Sequence, residues 1–181
     1  MKNRTHLMPA LVALLATAAT FLAGCASPAQ TSSMVAAPIA VAAKHPEPLS
    51  VRVTGGSETS AAGASKISNA DFAEAIRQSV EQSGLFAKAV LADPTADYHL
   101  DVNIVRLDQP MMGFSMTVTI EATWTLSKRD NTVVWQKSVT STHTATTGEA
   151  FAGVTRLRLA TEGAAKQNIQ DALGQMGKAS W

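Results

Sequence analysis

Residues 114–127 read FSMTVTIEATWTLS. Phe114, Met116, Val118, Ile120, Ala122, Trp124 and Leu126 alternate without error against Ser115, Thr117, Thr119, Glu121, Thr123, Thr125 and Ser127. A period of two places successive side chains on opposite faces of a strand, so this segment predicts a strand with one dry and one wet face. The next residues, KRDN at 128–131, read as a turn, and Thr132 to about Thr146 returns along the first strand. With Arg129-Asp130 as a two-residue turn, Trp124 faces Trp135 and Leu126 faces Val133. The same register sets His143 opposite Met116 on the apolar face, where it reads as a core or edge histidine. It also stacks a Ser/Thr ladder on the other face, with Thr117 near Thr142 and Thr119 near Thr140. Strands of this length exceed the usual five or six residues, which predicts a bend or bulge.

Upstream, DYHLDVNIVRL (97–107) is a third strand of the same kind, with Tyr98, Leu100, Val102 and Ile104 on one side and His99, Asp101 and Asn103 on the other. Leu49–Val53 alternates and stops at Gly55-Gly56, and Leu85–Leu91 is a short apolar strand closed by Asp93-Pro94. Between them, Phe72, Ile76 and Val80 recur every four residues after Ser68-Asn69 and before Gly84, the pattern of a capped amphipathic helix. A last helix is predicted from about Val154 to Met176, with Leu157, Ala160, Ala164, Leu173 and Met176 on its apolar face and Ile169 near the edge. Arg156 and Arg158, near its start, read as surface charges. The order β-α-β-β-β-β-α predicts an α+β two-layer sandwich, a mainly antiparallel sheet of about five strands with two helices on one face.

The N-terminal region is of another character. Lys2 and Arg4 precede an apolar, alanine-rich run from Leu7 to Leu22, shorter than the roughly 20 residues a membrane-spanning helix needs and suited to the apolar core of a secretory signal. It ends in Leu22-Ala23-Gly24-Cys25, with the sole cysteine of the chain. This stretch resembles the lipobox of bacterial lipoproteins. The resemblance implies that residues 1–24 are a lipoprotein signal peptide, that the Cys25 thiol takes a diacylglycerol, and that cleavage leaves Cys25 first with an acylated amine. Ala26 and Ser27 follow without an acid beside the anchor, which implies the periplasmic face of the outer membrane. Residues 26–48, ASPAQTSSMVAAPIAVAAKHPEP, contain four prolines and little charge. With Cys25 they read as a flexible linker, spanning about 26 Å as a coil, although the apolar run Met34–Ala43 suits packing on the membrane or on the domain. Residues 49–181 form the periplasmic domain.

Composition narrows the function. The chain has 181 residues, 46% hydrophobic and 16% charged, enough for one domain with a core. Residues 1–24 hold Lys2 and Arg4 and no acid, so the remainder carries 13 basic residues against 14 acidic, net −1. That balance gives no basic face for nucleic acid. One cysteine excludes an intramolecular disulfide and any multi-cysteine metal site. No Gly-x-Ser-x-Gly elbow or phosphate-cradling loop occurs, and TGGSE at 54–58 is too short to count as one. His99 and Asp101 share a strand face, which would suit a metal-assisted hydrolase, but such a row reads first as the wet face of a strand. Met111, Met112, Phe114 and Met116, after Pro110, read either as a loop folded into the core under the sheet or as an exposed, adaptable apolar patch for a lipid or a protein partner.

Leu85-Phe86, ADYHLDVNIVRL, MTVTIEATWTL, GEAF and NIQDAL, spanning roughly Val51 to Met176, resemble small Gram-negative lipoproteins of the YajG type and of the transport-auxiliary kind. The resemblance implies a periplasmic lipoprotein without a catalytic motif, some of that kind being accessory subunits in lipid or envelope-component transport; no cofactor or metal is expected, and an envelope protein is the expected partner. The expected role is therefore a non-enzymatic accessory or adaptor in envelope assembly or transport, anchored by diacylglycerol and acyl chains on Cys25. A lipid-binding carrier is the alternative beside the hydrolase, and the long hairpin, placed at a sheet edge, would allow a homo-oligomer.

Overall fold

The computed structural model describes residues 26–41, 43–59 and 64–181. Its elements are α1 (Thr31–Met34), β1 (His45–Thr54), α2 (Asn69–Ser83), β2 (Phe86–Leu91), β3 (Tyr98–Asp108), β4 (Met116–Lys128), β5 (Val133–Ala145) and α3 (Gly153–Met176). The five strands form one sheet in the order β2-β1-β3-β4-β5, with α2 packed on β1 and β2 and α3 on β4 and β5. The α+β architecture with helices on one face is the one the alternation predicted. The sheet is mixed: β3, β4 and β5 are antiparallel neighbours, whereas β1 runs parallel to both β2 and β3.

Stagger makes the parallel half possible without a second crossover helix. β2 pairs with His45–Val51 of β1, and β3 pairs with Leu49–Thr54 on its other side. The end of β2 and the start of β3 therefore lie at one level along β1. The link 92–97 needs only to pass over one strand, roughly 10 Å at ordinary strand spacing. It is pinned there by hydrogen bonds from the Ala92 amide to the Val51 carbonyl (3.1 Å) and from the Asp93 amide to Ser50 Oγ (2.9 Å).

In β4 the predicted parity holds from Met116 to Leu126, every second residue being buried. Its start is two residues later than the alternation suggested, because Phe114 lies in the preceding loop and is exposed. The hairpin keeps the predicted faces with different partners. Thr117 pairs with Thr144, Thr119 with Thr142, Val118 with His143, Leu126 with Trp135 and Trp124 with Lys137. Two single-residue features produce this shift of two. The turn has three residues, Arg129–Asn131, closed by Asn131 N–H to Lys128 O and Lys128 N–H to Thr132 O (both 2.9 Å), with Asn131 at φ 66°. Asparagine tolerates that left-handed conformation. Between Ser127↔Val133 and Leu126↔Trp135 one further residue bulges out of β5. Each alone would have turned the strand over; together they restore parity. β3 carries the other bulge the strand lengths predicted, between Ile104 and Arg106.

The interlayer is filled by side chains. Trp124 is fully buried, with the Phe72 ring edge-on at 6.3 Å between centroids. Asn168, equally buried, accepts from Trp124 Nε1 (3.0 Å) and donates to the Val139 carbonyl (2.8 Å). Ile169 is fully buried rather than at the helix edge. α2 starts as predicted: Ser68 Oγ caps the Asp71 amide (3.0 Å), and Gly84 ends it at φ 66°.

The segment expected to be a flexible linker is corrected by these contacts. Residues 26–41 lie against the domain. Ala29, Met34 and Ala36 are buried in the core, and α1 packs on α2 and α3. The Ala36 amide donates to the buried Ser79 Oγ (2.9 Å), Thr31 Oγ1 to Asp71 (2.9 Å) and the Gln30 amide to the buried Glu162 carboxylate (2.9 Å). The apolar spacing of Ala29, Met34 and Ala36 finds a groove between two helices, so burial and hydrogen bonds outweigh the entropy of a free coil.

His143 packs against α3 where Gly163 leaves space; a Cβ at Gly163 would run into the imidazole. Gly163→Ala should therefore destabilise the fold by about 1–3 kcal/mol through overpacking. The usual gain of about 1 kcal/mol for alanine over glycine in a helix should reappear in a His143→Ala background. Urea unfolding of the double-mutant cycle measures both.

Candidate functional site

The side chains with most surface and least use within the fold lie at one end of the molecule. There β3 stops, β4 begins and α3 starts. Met111, Met112 and Phe114, on the β3–β4 loop, are 98%, 83% and 87% exposed, and Phe151, just before α3, is 96% exposed. Met116, expected in the same patch, is corrected: it is the first inward residue of β4 and only 5% exposed. The patch gains Phe151 instead. In the sequence Phe151 stands alone between Ala150 and Ala152, with no period to mark it, and only a tertiary link between the two loops brings its loop to that of the methionines.

Arg156 makes that link. Read as a surface charge, it is buried beneath the two loops. Its Nη2 donates to the Gly113 carbonyl (3.0 Å) and its Nη1 to the carbonyls of Ala150 (2.9 Å) and Phe151. The planar guanidinium fork thus holds both loop tips at once and occupies their carbonyl oxygens. The turn leading to Phe151 is fixed by Glu149, whose carboxylate accepts from the Thr146 amide (2.8 Å) and hydroxyl; these bonds hold its pKa below the ordinary value. Replacing Arg156 with leucine should lower stability by about 1.5–3 kcal/mol, the scale for lost charged hydrogen bonds, and speed amide exchange in both loops. Lysine should restore little, since one ammonium cannot span three carbonyls.

The N-terminal stretch emerges at the same end. The Ser27 carbonyl accepts from Ser65 Oγ (2.8 Å), and Gln109 Nε2 donates to the Ser65 carbonyl (2.5 Å) and to Thr161 Oγ1 on α3 (2.8 Å). Gln109 is two residues from Met111. Cys25, the expected acylation site, lies outside the described residues.

The other candidates are engaged differently. Asp101 is paired with Arg52 (2.6 Å), and Asn103 accepts from Thr54 Oγ1 (3.1 Å), both across the β1–β3 ladder. His99 lines an open depression of about 350 Å³ with Ser50, Asp93, Asp101 and Arg129 on the polar face. Asp93 there has its pKa lowered, chiefly by hydrogen bonds from the Thr95 hydroxyl and amide. The Ser/Thr ladder is present and satisfies itself: Thr117 and Thr144 hydroxyls are 2.9 Å apart, and Thr119 and Thr142 3.0 Å. Arg158 is half-buried and paired with Glu162 (2.8 Å). Among the described residues no group of three or more His, Cys, Asp or Glu is placed to hold a metal ion, and no helix is long and apolar enough to cross a membrane.

No family model matches the chain, and no curated protein matches it in sequence. Solved structures share the fold. A Xanthomonas campestris protein of the DUF330 family superposes with a TM-score of 0.60 at 17% identity, over 78% of this chain and 89% of its own. A dodecameric PelC from Paraburkholderia phytofirmans gives 0.50 at 17% identity, over 80% and 95%. A hypothetical protein of Chlamydia trachomatis gives 0.50 at 11% identity, over 75% and 96%.

Proposed function

We propose that this protein is a lipoprotein of the outer membrane, acylated on Cys25, whose periplasmic domain serves as a non-enzymatic accessory or adaptor in envelope assembly or transport. The observation that carries this reading is the apolar loop end. Four large side chains are held out by a buried arginine on a rigid sheet-and-helix body, an arrangement suited to contact rather than to chemistry. The lipobox-like LAGC supports the anchor, and anchoring would raise the effective concentration of the domain for partners at the membrane. Metabolic labelling with a palmitate analogue in a Gram-negative host tests the anchor. Label on the wild-type chain, its loss in Cys25→Ser and recovery with the outer-membrane fraction are expected. Crosslinking of the intact envelope should recover a partner; unlabelled wild-type chain in the soluble fraction would overturn the proposal.

A second reading concerns assembly. β5 is an edge strand of thirteen residues, open to addition of a strand from another chain, and PelC, of the same fold, is a dodecamer. Light scattering on the purified chain distinguishes a homo-oligomer from a monomer.

A further inference from the structure

We infer that the loop end formed by Met111, Met112, Phe114 and Phe151 is a membrane seat: the domain rests directly on the bilayer, with these side chains among the acyl chains, instead of standing off on a tether. The inference rests on the proposed acylation of Cys25. Three observations lead to it.

The first is reach. Residues 26–41 are docked on the domain, so the tether is not 23 residues long. Ser27 is fixed through Ser65 to Gln109, at the root of the methionine loop. Cys25 is two residues away, and two peptide links can reach no farther than about 7.6 Å from the Cα of Ser27. An acyl chain on Cys25 therefore holds the end of the domain that carries Gln109 and the methionine loop, rather than the β4–β5 turn, close to the bilayer.

The second is chemistry. Residues 110–114, Pro-Met-Met-Gly-Phe, and 150–153, Ala-Phe-Ala-Gly, contain no charged or polar side chain. Entry into an apolar medium is costly mainly where backbone polar groups go unsatisfied. Here Arg156 already occupies the carbonyls of Gly113, Ala150 and Phe151 from within. The tips present hydrocarbon, sulfur and aromatic rings outward, and the carbonyls of Gly113, Ala150 and Phe151 are turned to the arginine.

The third is shape. Each of the four side chains is more than four-fifths exposed and lies on a connecting loop, 109–115 or 146–152, rather than on the face of a strand or helix. Separate projecting apolar groups suit a deformable partner, and lipid is one.

The test uses the full chain, purified from membranes and reconstituted in phosphatidylethanolamine–phosphatidylglycerol vesicles. Phe114→Trp adds a reporter at the loop end; Lys128→Trp adds one at the far end of β4, roughly 40 Å away for a strand of this length. Intact mass on Cys25 is measured first. With an acylated chain, the emission added at position 114 should shift to the blue and be mostly lost to lipids brominated on their acyl chains, while that at 128 is unaffected. Quenching at 114 should fall when Met111, Met112 and Phe151 are changed to serine. An acylated chain with an unquenched reporter at 114 would overturn the membrane seat and leave the lipoprotein reading standing. Crosslinks between copies through position 114 would also overturn it, assigning the patch to a second copy. A chain without acyl mass would overturn both.

Discussion

Replacing Asn168 with alanine is expected to lower the stability of the domain by about 3–5 kcal/mol. Asn168 is fully buried, and its amide serves the Trp124 indole N–H on one side and the Val139 carbonyl on the other. Alanine leaves both groups buried without a partner, at about 1–3 kcal/mol each, and opens a small cavity as well. The effect should depend on its partner: in a Trp124→Phe background, where the indole donor is already gone, the loss from Asn168→Ala should shrink by about 1–3 kcal/mol. Guanidinium unfolding of the cycle measures this. Equal losses in both backgrounds would mean that the tryptophan and asparagine are not coupled. The pair ties the centre of β4 to α3, the helix whose first turn carries Arg156 and hence the apolar loop end.

The second large effect concerns the docked N-terminal stretch. Met34→Ala should cost about 2–5 kcal/mol, the scale for truncating a fully buried methionine. Met34 is 0% exposed, on a helix of four residues between α2 and α3. So short a helix has little stability of its own, so the loss is expected to appear as release of residues 26–41 before the global transition. Amide exchange at Ala36, whose N–H is held by Ser79 Oγ, should accelerate toward that of an open chain while amides of β4 stay protected. Proteolysis within 26–41 should follow the same order. The functional consequence is direct: release lengthens the tether and should unseat the domain from the bilayer even though Cys25 and the loop end are untouched.

Element types and faces were legible wherever a residue's fate depends on its near neighbours in sequence. The alternation of Met116–Leu126, the spacing of Phe72, Ile76 and Val80, and Ser68 and Gly84 at the ends of α2 are local signals, and each appears in the fold. Register was less legible. The KRDN turn is one residue longer than a two-residue hairpin, and a bulge beside Trp135 adds another; neither has a signal stronger than the turn itself. At the site, the sequence marks Met111, Met112 and Phe114 as an apolar cluster after a proline but assigns Met116 to the same cluster, since composition alone does not tell a loop tip from the first residue of a strand.

The sequence by itself determined the α+β class, which residues face inward along each long strand, and the candidate anchor at Cys25, because period and short motifs are written in consecutive residues. Tertiary structure alone decided that β1 lies in the sheet between β2 and β3, that residues 26–41 pack on the helices, and that Arg156 is buried. It also decided that the loop of Phe151 is tied through Arg156 to the loop of Met111, Met112 and Phe114. These depend on pairings between residues tens of positions apart. The free energy of such a pairing comes from the groove, carbonyl or cavity that the rest of the chain provides once folded.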